Sequence, residues 1–242
     1  MRGESTHGLE VQTSDIVVKE VECKPSHMDP SFRKSASESK LRSFRIPINE
    51  HLPLVESDDE ISIRSSEEVL HRLVALWAVV GKAMLRDKSE SFEYIGRHGL
   101  QSWLSERELR FILDSQPSER DYVQFSWRLE ALFMVAWCAG LIDASDIPTK
   151  ESSVESILPF FPNINELPDR LRGRLRIREK AEILDRADLL YRLHWAVRNA
   201  QLTGEAGPTG VNGGVVQEWH HAVNWMIRYN GEDNWDHVGT DT

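Results

Sequence analysis

Ionisable side chains on otherwise apolar helical stretches are the residues of this sequence that could do chemistry. A carboxylate in such a place must find a partner or shift its pKa upward. The guanidinium of Arg128 offers a rigid fork of donors that suits a carboxylate such as Glu218 or Asp188. The candidate residues, for a ligand site or for a buried polar network, are Arg128, Glu130, Asp188, Arg192, His194, Glu218 and His220.

Two interpretations of these residues remain open. In the first, they form a buried polar network that fixes how the helices pack. In the second, they line a pocket in which Glu218 is the general base and His194 or His220 is its acid–base partner. Arg128 and Arg192 would then clamp an anion. A Glu218 enclosed without a cavity would exclude the pocket, whereas an open site on which His194 and Glu218 converge would favour it.

Glu218 and the nearby histidines also have the chemistry of metal ligands. Glu218 and His221 share the Glu-x-x-His spacing that di-iron helical proteins use. A two-metal site needs further carboxylates from facing helices, and helical periodicity predicts that His221 faces outward. The sequence also lacks common nucleotide, zinc and nucleophile motifs, such as GxxxxGK[ST], HExxH, CxxC and GxSxG. We therefore predict no metal and no cofactor, and we assign no catalytic residue.

The overall charge limits the partners of the chain. It has 242 residues, with 29 Lys and Arg against 39 Asp and Glu, and a formal net charge of -10. A surplus of acids is unfavourable for binding nucleic acid or acidic membranes, since both attract cations. The longest uncharged apolar run, 131–142, is too short for a membrane span, which needs about 18 residues. Two cysteines and no apolar N-terminal leader predict a reduced, cytoplasmic protein.

One basic stretch and one glycine-rich loop depart from this background. Residues 169–180 place a cation at every second position from Arg170 to Lys180, which would align on one edge of an extended chain. We favour a solvated basic edge, with contact to RNA or an anionic ligand as the alternative. The loop 204–214 precedes a helix and could cradle a phosphate, but it has no lysine, which favours a plain loop.

Helices must position all of these residues, because the chain shows helical periodicity and no alternating strand pattern. Asp29-Pro30 is typical of a helix start, and Ser65–Glu68 and Ser105–Glu108 have the spacing of capping boxes. A central helix is predicted from Ser118 to Gly140, amphipathic in its first half and, because 131–142 is apolar at every position, buried on all faces from Ala131 onward.

Two later helices, 182–201 and 215–229, are predicted to wrap the central helix and bring their ionisable groups toward it. The sequence therefore predicts an all-α fold, a compact domain of about seven or eight helices around that helix. This single domain spans 33–242, and 1–32 is an N-terminal tail that is poorly structured or forms one strand. The outward face of the last helix is predicted to carry Gln217, His221, Asn224 and Arg228.

Several stretches carry a resemblance to a known family: RSSEEVLHRLVAL (64–76), SWRLEAL (126–132), EILDRADLLYRLHWAVRNA (182–200), GVVQEWHHAVNW (214–225) and WDHVGTDT (235–242). Together, in this order, they resemble the bacterial domain of unknown function family 4272 across 33–242. The resemblance implies a mostly helical, cytoplasmic domain and names no activity, cofactor or catalytic residue. It implies that the motif residues matter as a set: Arg128, Glu130, Asp188, Arg192, His194, Trp195, Glu218, His220, Asn224, Trp225, Trp235 and Asp236.

The leading functional hypothesis is a non-catalytic binding or interaction protein. The missing catalytic motifs, the acidic charge and the eight tryptophans support it. Its partner would be a protein, for example a basic toxin that this chain neutralises. The alternative is an enzyme acting on a small anionic substrate, with a Glu/His/Arg pocket between the last two long helices and the central helix.

Overall fold

The protein is described from a computed structural model, which covers residues 29–86, 90–161, 163, 166 and 168–242. The predicted strand or unstructured tail falls mainly on 1–28, which lie outside the described residues. The first helix begins at Pro30, so the last residues assigned to the tail belong to that helix.

The regular structure of the described residues is all helical, as the sequence predicts, with no strand among them. None of these helices is both long and apolar enough to cross a membrane. The α-helices are α1 (Pro30–Ser43), α2 (Ser66–Leu85), α3 (Glu90–His98), α4 (Glu106–Leu113), α5 (Glu119–Ser126), α6 (Arg128–Cys138), α7 (Asp169–Arg172), α8 (Lys180–Thr203) and α9 (Gly213–Met226).

The first residues of several helices follow the capping rules that the sequence suggests. The Asp29 side chain accepts a hydrogen bond from the α1 backbone at 2.8 Å, and Pro30 occupies the first helical position. Ser65 and Ser105 begin α2 and α4 with complete capping boxes. Ser118 begins α5 in the same way. These predicted helix starts are confirmed.

The helix predicted from Ser118 to Gly140 is divided into α5 and α6 by a turn at Trp127. The Trp127 backbone keeps right-handed helical angles, with φ -61° and ψ -20°, so the division is a local tightening. Gly140 ends α6 with a φ of +69°, as predicted. A Cβ atom at Gly140 would lie 2.2 Å from the carbonyl oxygen of Arg176, which makes glycine necessary there.

Helix α6 lies between α2 and α9 and is buried on nearly every face, as its composition predicts. Ala131, Leu132 and Met134 have no exposed surface, whereas Phe133 is half-buried. Helix α8 packs chiefly against α9 and α1. The prediction that both late helices wrap the central helix is therefore correct for α9 and only partly correct for α8, which contacts α6 through side chains such as Arg186, 4.5 Å from the centre of the Trp137 ring.

Helix α9 joins the layers because it buries side chains on two sides. Val216 packs in a cluster with Leu41 of α1 and Leu193 of α8. On the other side, the Trp219 ring stacks on Phe133 of α6, with 5.9 Å between the ring centroids. An apolar helix of this kind needs cover on both sides, and α6 and α8 supply it.

The C-terminal segment, 229–242, returns over the face of α9 that the periodicity assigns to solvent. Asn224 is buried and donates to one backbone carbonyl of the segment at 2.9 Å, and His221 lies 3.1 Å from another. The outward prediction is correct for Gln217 and wrong for Asn224, which is buried, whereas His221 and Arg228 are half-buried under the segment. Periodicity within a helix does not reveal that a later, irregular segment covers it.

Candidate functional site

The structure distributes the predicted site residues among four separate groups of contacts. The groups are Asp188 with Arg192, Glu130 with Ser152 and Trp219, His194 with His220, and Arg128 with Glu218. Protein contacts close the first three groups, and the Arg128–Glu218 group borders an open cavity.

Asp188 and Arg192 form a closed ion pair within α8. The Arg192 Nε and Nη2 atoms donate to the two Asp188 carboxylate oxygens at 2.9 and 2.8 Å, and neither side chain is more than 1% exposed. Arg192 Nη2 also donates to the Pro53 carbonyl at 3.1 Å, and Glu38 of α1 lies 3.7 Å from its Nη1. These contacts hold α1 and the following loop against α8, and they leave Arg192 unsuited to clamp an anion.

Glu130 is buried in α6 and connects three parts of the chain. Its Oε1 accepts the Ser152 N–H at 2.6 Å, and its Oε2 accepts the Ser152 hydroxyl at 2.7 Å. The same Oε2 accepts the indole N–H of Trp219 at 3.1 Å. Because both carboxylate oxygens are occupied, Glu130 holds the segment around residue 152 and α9 against α6.

His194, His220 and Asn224 form a hydrogen-bonded chain between α8 and α9. The two histidine Nδ1 atoms lie 2.9 Å apart, and Asn224 Nδ2 lies 3.2 Å from His220 Nε2. Asn224 Nδ2 also donates to the Gly239 carbonyl at 2.9 Å, which fixes the orientation of the amide. An amide nitrogen only donates, so His220 Nε2 accepts and His220 Nδ1 donates to His194. This order assigns a neutral tautomer to each ring.

Burial keeps both of these histidines neutral. It lowers the pKa of His194 to about 4, and burial with the neighbouring His194 lowers the pKa of His220 well below its usual value. Glu218 and His220 are two residues apart on α9, so their side chains leave nearly opposite faces of the helix. His194 and Glu218 therefore do not converge, contrary to what the enzyme hypothesis requires.

An open cavity of 450 Å³ lies on the Glu218 face of α9, and we call it the Glu218 cavity. Arg128 Nη1 donates to Glu218 Oε2 at 2.8 Å in its wall, and the two side chains are 14% and 15% exposed. The sequence correctly suggests this pairing. The residues lining the cavity are Arg107, Gln124, Trp127, Arg128, Gly214, Gln217, Glu218, His221, Asp236, Val238 and Thr240.

The turn between α5 and α6 positions one wall of the cavity against the start of α9. Trp127 occupies that turn, and its ring lies against Gly214 in the first turn of α9. A Cβ atom on Gly214 would lie 2.8 Å from two ring carbons of Trp127, so a side chain there would push the two elements apart. The close approach brings Arg128 within reach of Glu218 one turn further along α9.

His221 forms the inner wall of the cavity together with the C-terminal segment. Its Nε2 donates to the Trp235 carbonyl at 3.1 Å, and the two rings pack edge to face at 4.4 Å. The His221 Nδ1 atom is buried and accepts no hydrogen bond from the described residues. Burial, reinforced by the positive charge of Arg128, lowers the pKa of His221 to about 3, so this ring is also neutral.

Asp236 anchors the C-terminal segment to α4 and closes the far side of the cavity. Its two carboxylate oxygens accept the Ser105 hydroxyl at 2.8 Å and the Arg107 N–H at 3.0 Å. The carboxylate thus lies at the positive end of α4, where a negative charge is stabilised. The guanidinium of Arg107 stays exposed at the rim.

The ionisable groups of the cavity are shifted in ways that limit proton transfer. Burial raises the pKa of Glu218, and Arg128 partly opposes that shift. A raised carboxylate pKa suits a general base. His221, whose pKa is about 3, carries no imidazolium proton to donate as a general acid near pH 7, so it cannot be the acid–base partner of Glu218. The side chains of the cavity are therefore better suited to binding charged and hydrogen-bonding groups of a ligand than to acid–base catalysis.

Sequence reasoning did not select several polar residues that line the cavity: Arg107, Gln124, Gln217, His221 and Thr240. It considered His221 because of its spacing from Glu218 and set it aside, since helical periodicity predicts an outward position. Arg107 belongs to a short helix distant in sequence, and only the Asp236 contact brings it near.

The basic stretch 169–180 and the loop 204–214 are the other two places where the sequence suggests ligand binding, and side chains in both make contacts within the protein. In the basic stretch, Arg172 pairs with Glu67, and Arg178 pairs with Glu182 at 2.7 Å. At the end of the glycine-rich loop, the Asn212 side chain accepts the first N–H groups of α9. Within the described part of the chain, no three His, Cys, Asp or Glu side chains converge closely enough to hold a metal ion.

One comparison places the chain in a family. The family described as Domain of unknown function (DUF4272) matches residues 33–238, so the chain belongs to this family. No curated protein and no solved structure matches the chain.

Proposed function

Starting from membership of DUF4272, we propose that the protein is a non-catalytic binding protein that holds a small polar molecule in the Glu218 cavity. One observation carries the proposal: an open 450 Å³ cavity is walled by the Arg128–Glu218 ion pair, which keeps unused donors and an unused acceptor among the described contacts. Ligand pockets commonly have volumes of about 300–1,000 Å³ and a few well-placed polar groups.

The charge of the cavity wall favours a small polar ligand over the surface of a basic protein. Two basic residues, Arg107 and Arg128, oppose two acidic residues, Glu218 and Asp236. A balanced wall does not attract a strongly basic partner through its net charge. A protein partner such as a basic toxin thus rests on the overall charge of -10 alone and stays a prediction.

Native mass spectrometry of the untagged protein from its own source cells tests the binding function. We expect the wild-type protein to carry a small molecule that leaves on mild activation. The variant Gln217→Trp places a large ring at an exposed position of the cavity wall and should release it. The control Gln201→Trp lies on exposed α8 surface and should retain the ligand. Equal occupancy in all three proteins, or none in the wild type, would contradict the proposal.

A second candidate is an enzyme that uses Glu218 as a general base, and the raised pKa of that carboxyl supports it. The variant Glu218→Gln separates the two functions because it keeps the shape and removes the proton acceptor. A binding protein should lose affinity and never convert its ligand. Chemical conversion of the bound molecule by the wild type, abolished in Glu218→Gln, would favour the enzyme.

A further inference from the structure

We propose that the ligand of the Glu218 cavity is a small zwitterion, with an ammonium and a carboxylate group close together as in a free α-amino acid. This inference rests on the proposed binding function. It follows from how the cavity presents its two charges and its unused hydrogen-bonding atoms.

The ion pair in the wall presents opposite charges side by side. Arg128 Nη1 and Glu218 Oε2 are 2.8 Å apart, so a ligand of a single charge attracted by one group is repelled by the other. A zwitterion placed antiparallel to this pair is attracted by both. Specificity for a zwitterion then arises from repulsion of singly charged molecules as well as from attraction of the zwitterion.

An unused acceptor on one side of the cavity suits an ammonium group. Glu218 Oε1 accepts no hydrogen bond from the described residues, in contrast to Oε2, which accepts from Arg128. His221 Nδ1 also has no donor in the described structure, but it has almost no accessible surface. Glu218 Oε1 is therefore the acceptor that an ammonium group of the ligand would use.

Unused donors on the other side suit a carboxylate. Only the Nη1 atom of Arg128 donates a hydrogen bond to a described residue, so Nε and Nη2 are available to donate to a ligand. Arg107 adds an exposed guanidinium at the rim. Arginine recognises carboxylates through paired N–H donors. The half-buried Trp127 ring offers apolar surface for a side chain of the ligand.

Calorimetric titration of the full chain with each proteinogenic L-amino acid tests the inference. We expect at least one to bind. Its methyl ester retains only the positive charge and its N-acetyl derivative only the negative charge. Each should bind at least tenfold more weakly than the parent, about 1.4 kcal/mol. An ester or N-acetyl derivative that binds as tightly as its parent, or no binding by any amino acid, would overturn the inference.

Matched variants locate the binding and separate this inference from the function it rests on. Arg128→Gln and Glu218→Gln should each weaken binding tenfold or more, while Arg172→Gln, whose partner Glu67 lies elsewhere, should not change it. If wild-type protein carries a ligand that Gln217→Trp loses, yet binds no amino acid, the binding function stands and the zwitterion is wrong. If Gln217→Trp changes neither measurement, both proposals fail.

Discussion

The two faces of α9 carry similar side chains in different surroundings. The closed region comprises the Asp188–Arg192 pair, where α8 meets α1 and the following loop, and the chain of His194, His220 and Asn224 between α8 and α9. Its polar groups pair mainly with one another. The open region comprises Arg128, Glu218 and His221 and borders a cavity. A long helix covers the first region and a short irregular segment covers the second. Whether an ionisable cluster is enclosed or accessible therefore depends more on the segment that packs over it than on its residue types.

The largest expected contrast between the regions comes from removing one partner of each ion pair. Asp188→Ala leaves the Arg192 charge buried and should lower the free energy of unfolding by about 3–5 kcal/mol. Glu218→Ala leaves Arg128 beside an open cavity and should cost about 1 kcal/mol or less. Urea unfolding measures both losses. Equal losses would mean that the two regions do not differ in burial as the structure shows.

The hydrogen-bonded chain of the closed region should show coupling that the open region lacks. His220→Leu leaves His194 Nδ1 without a donor, while Asn224 keeps only its hydrogen bond to the Gly239 carbonyl, and it should cost about 1–3 kcal/mol. The double variant with His194→Leu removes two partners together and should recover part of that loss. A double-mutant cycle in urea gives the coupling energy. Strictly additive losses would show that the two rings do not pair.

The pH dependence of stability should have opposite signs in the two regions for His194 and Glu218. Between the unfolded histidine pKa of about 6.5 and the folded His194 value of about 4, the unfolded chain binds more protons. Stability is therefore lost as pH falls across this window, by an amount on the order of 2 kcal/mol for His194. The raised pKa of Glu218 makes stability fall as pH rises above the unfolded value.

Unfolding measured at several pH values in three proteins checks these signs. His194→Gln should flatten the acid loss, although His220 and His221 retain losses of the same sign. Glu218→Gln should remove the opposing slope and leave the histidine contribution intact. A wild-type acid loss that His194→Gln does not reduce would argue against a neutral, buried His194.

A substitution outside both regions should have the smallest effect. Arg172 and Glu67 form an exposed pair in the basic stretch, with side chains 47% and 49% exposed. Arg172→Gln should leave the free energy of unfolding unchanged within experimental error, because solvent screens an exposed pair. Thermal unfolding is sufficient to measure this. A larger loss would mean that surface pairs contribute as much as the closed region, which would weaken the comparison.

One ion pair of the closed region was within reach of sequence reasoning, but the chain of His194, His220 and Asn224 was not, since helical periodicity puts Asn224 on the outside. Asp188 and Arg192 have the i,i+4 spacing of a helical ion pair, and the structure confirms their contact. Helix starts at Pro30, Ser65 and Ser105 follow from local capping chemistry. These features depend on neighbours within one or two helical turns, which a sequence pattern records directly.

The open region depends on contacts that no local pattern records. The fold-back of 229–242 is held by single contacts such as Asp236 to α4 and Asn224 to Gly239, without helical or strand periodicity. For this reason the sequence predicts His221 on the outside. The sequence also did not show that α8 packs more on α9 and α1 than on α6, because apolar residues on a helix show that it is covered but not which helix covers it.

Long-range ¹H–¹⁵N spectra of the histidine rings test the central claim most directly, recorded near pH 7 before and after adding a small-molecule extract of the source cells. The structure predicts a proton on Nδ1 of His220 and on Nε2 of His194 and His221. On adding the extract, the His221 Nδ1 resonance should shift while those of His194 and His220 stay unchanged, and Gln217→Trp should abolish the shift. Shifts at His194 and His220 with none at His221 would contradict a binding site at the Glu218 cavity.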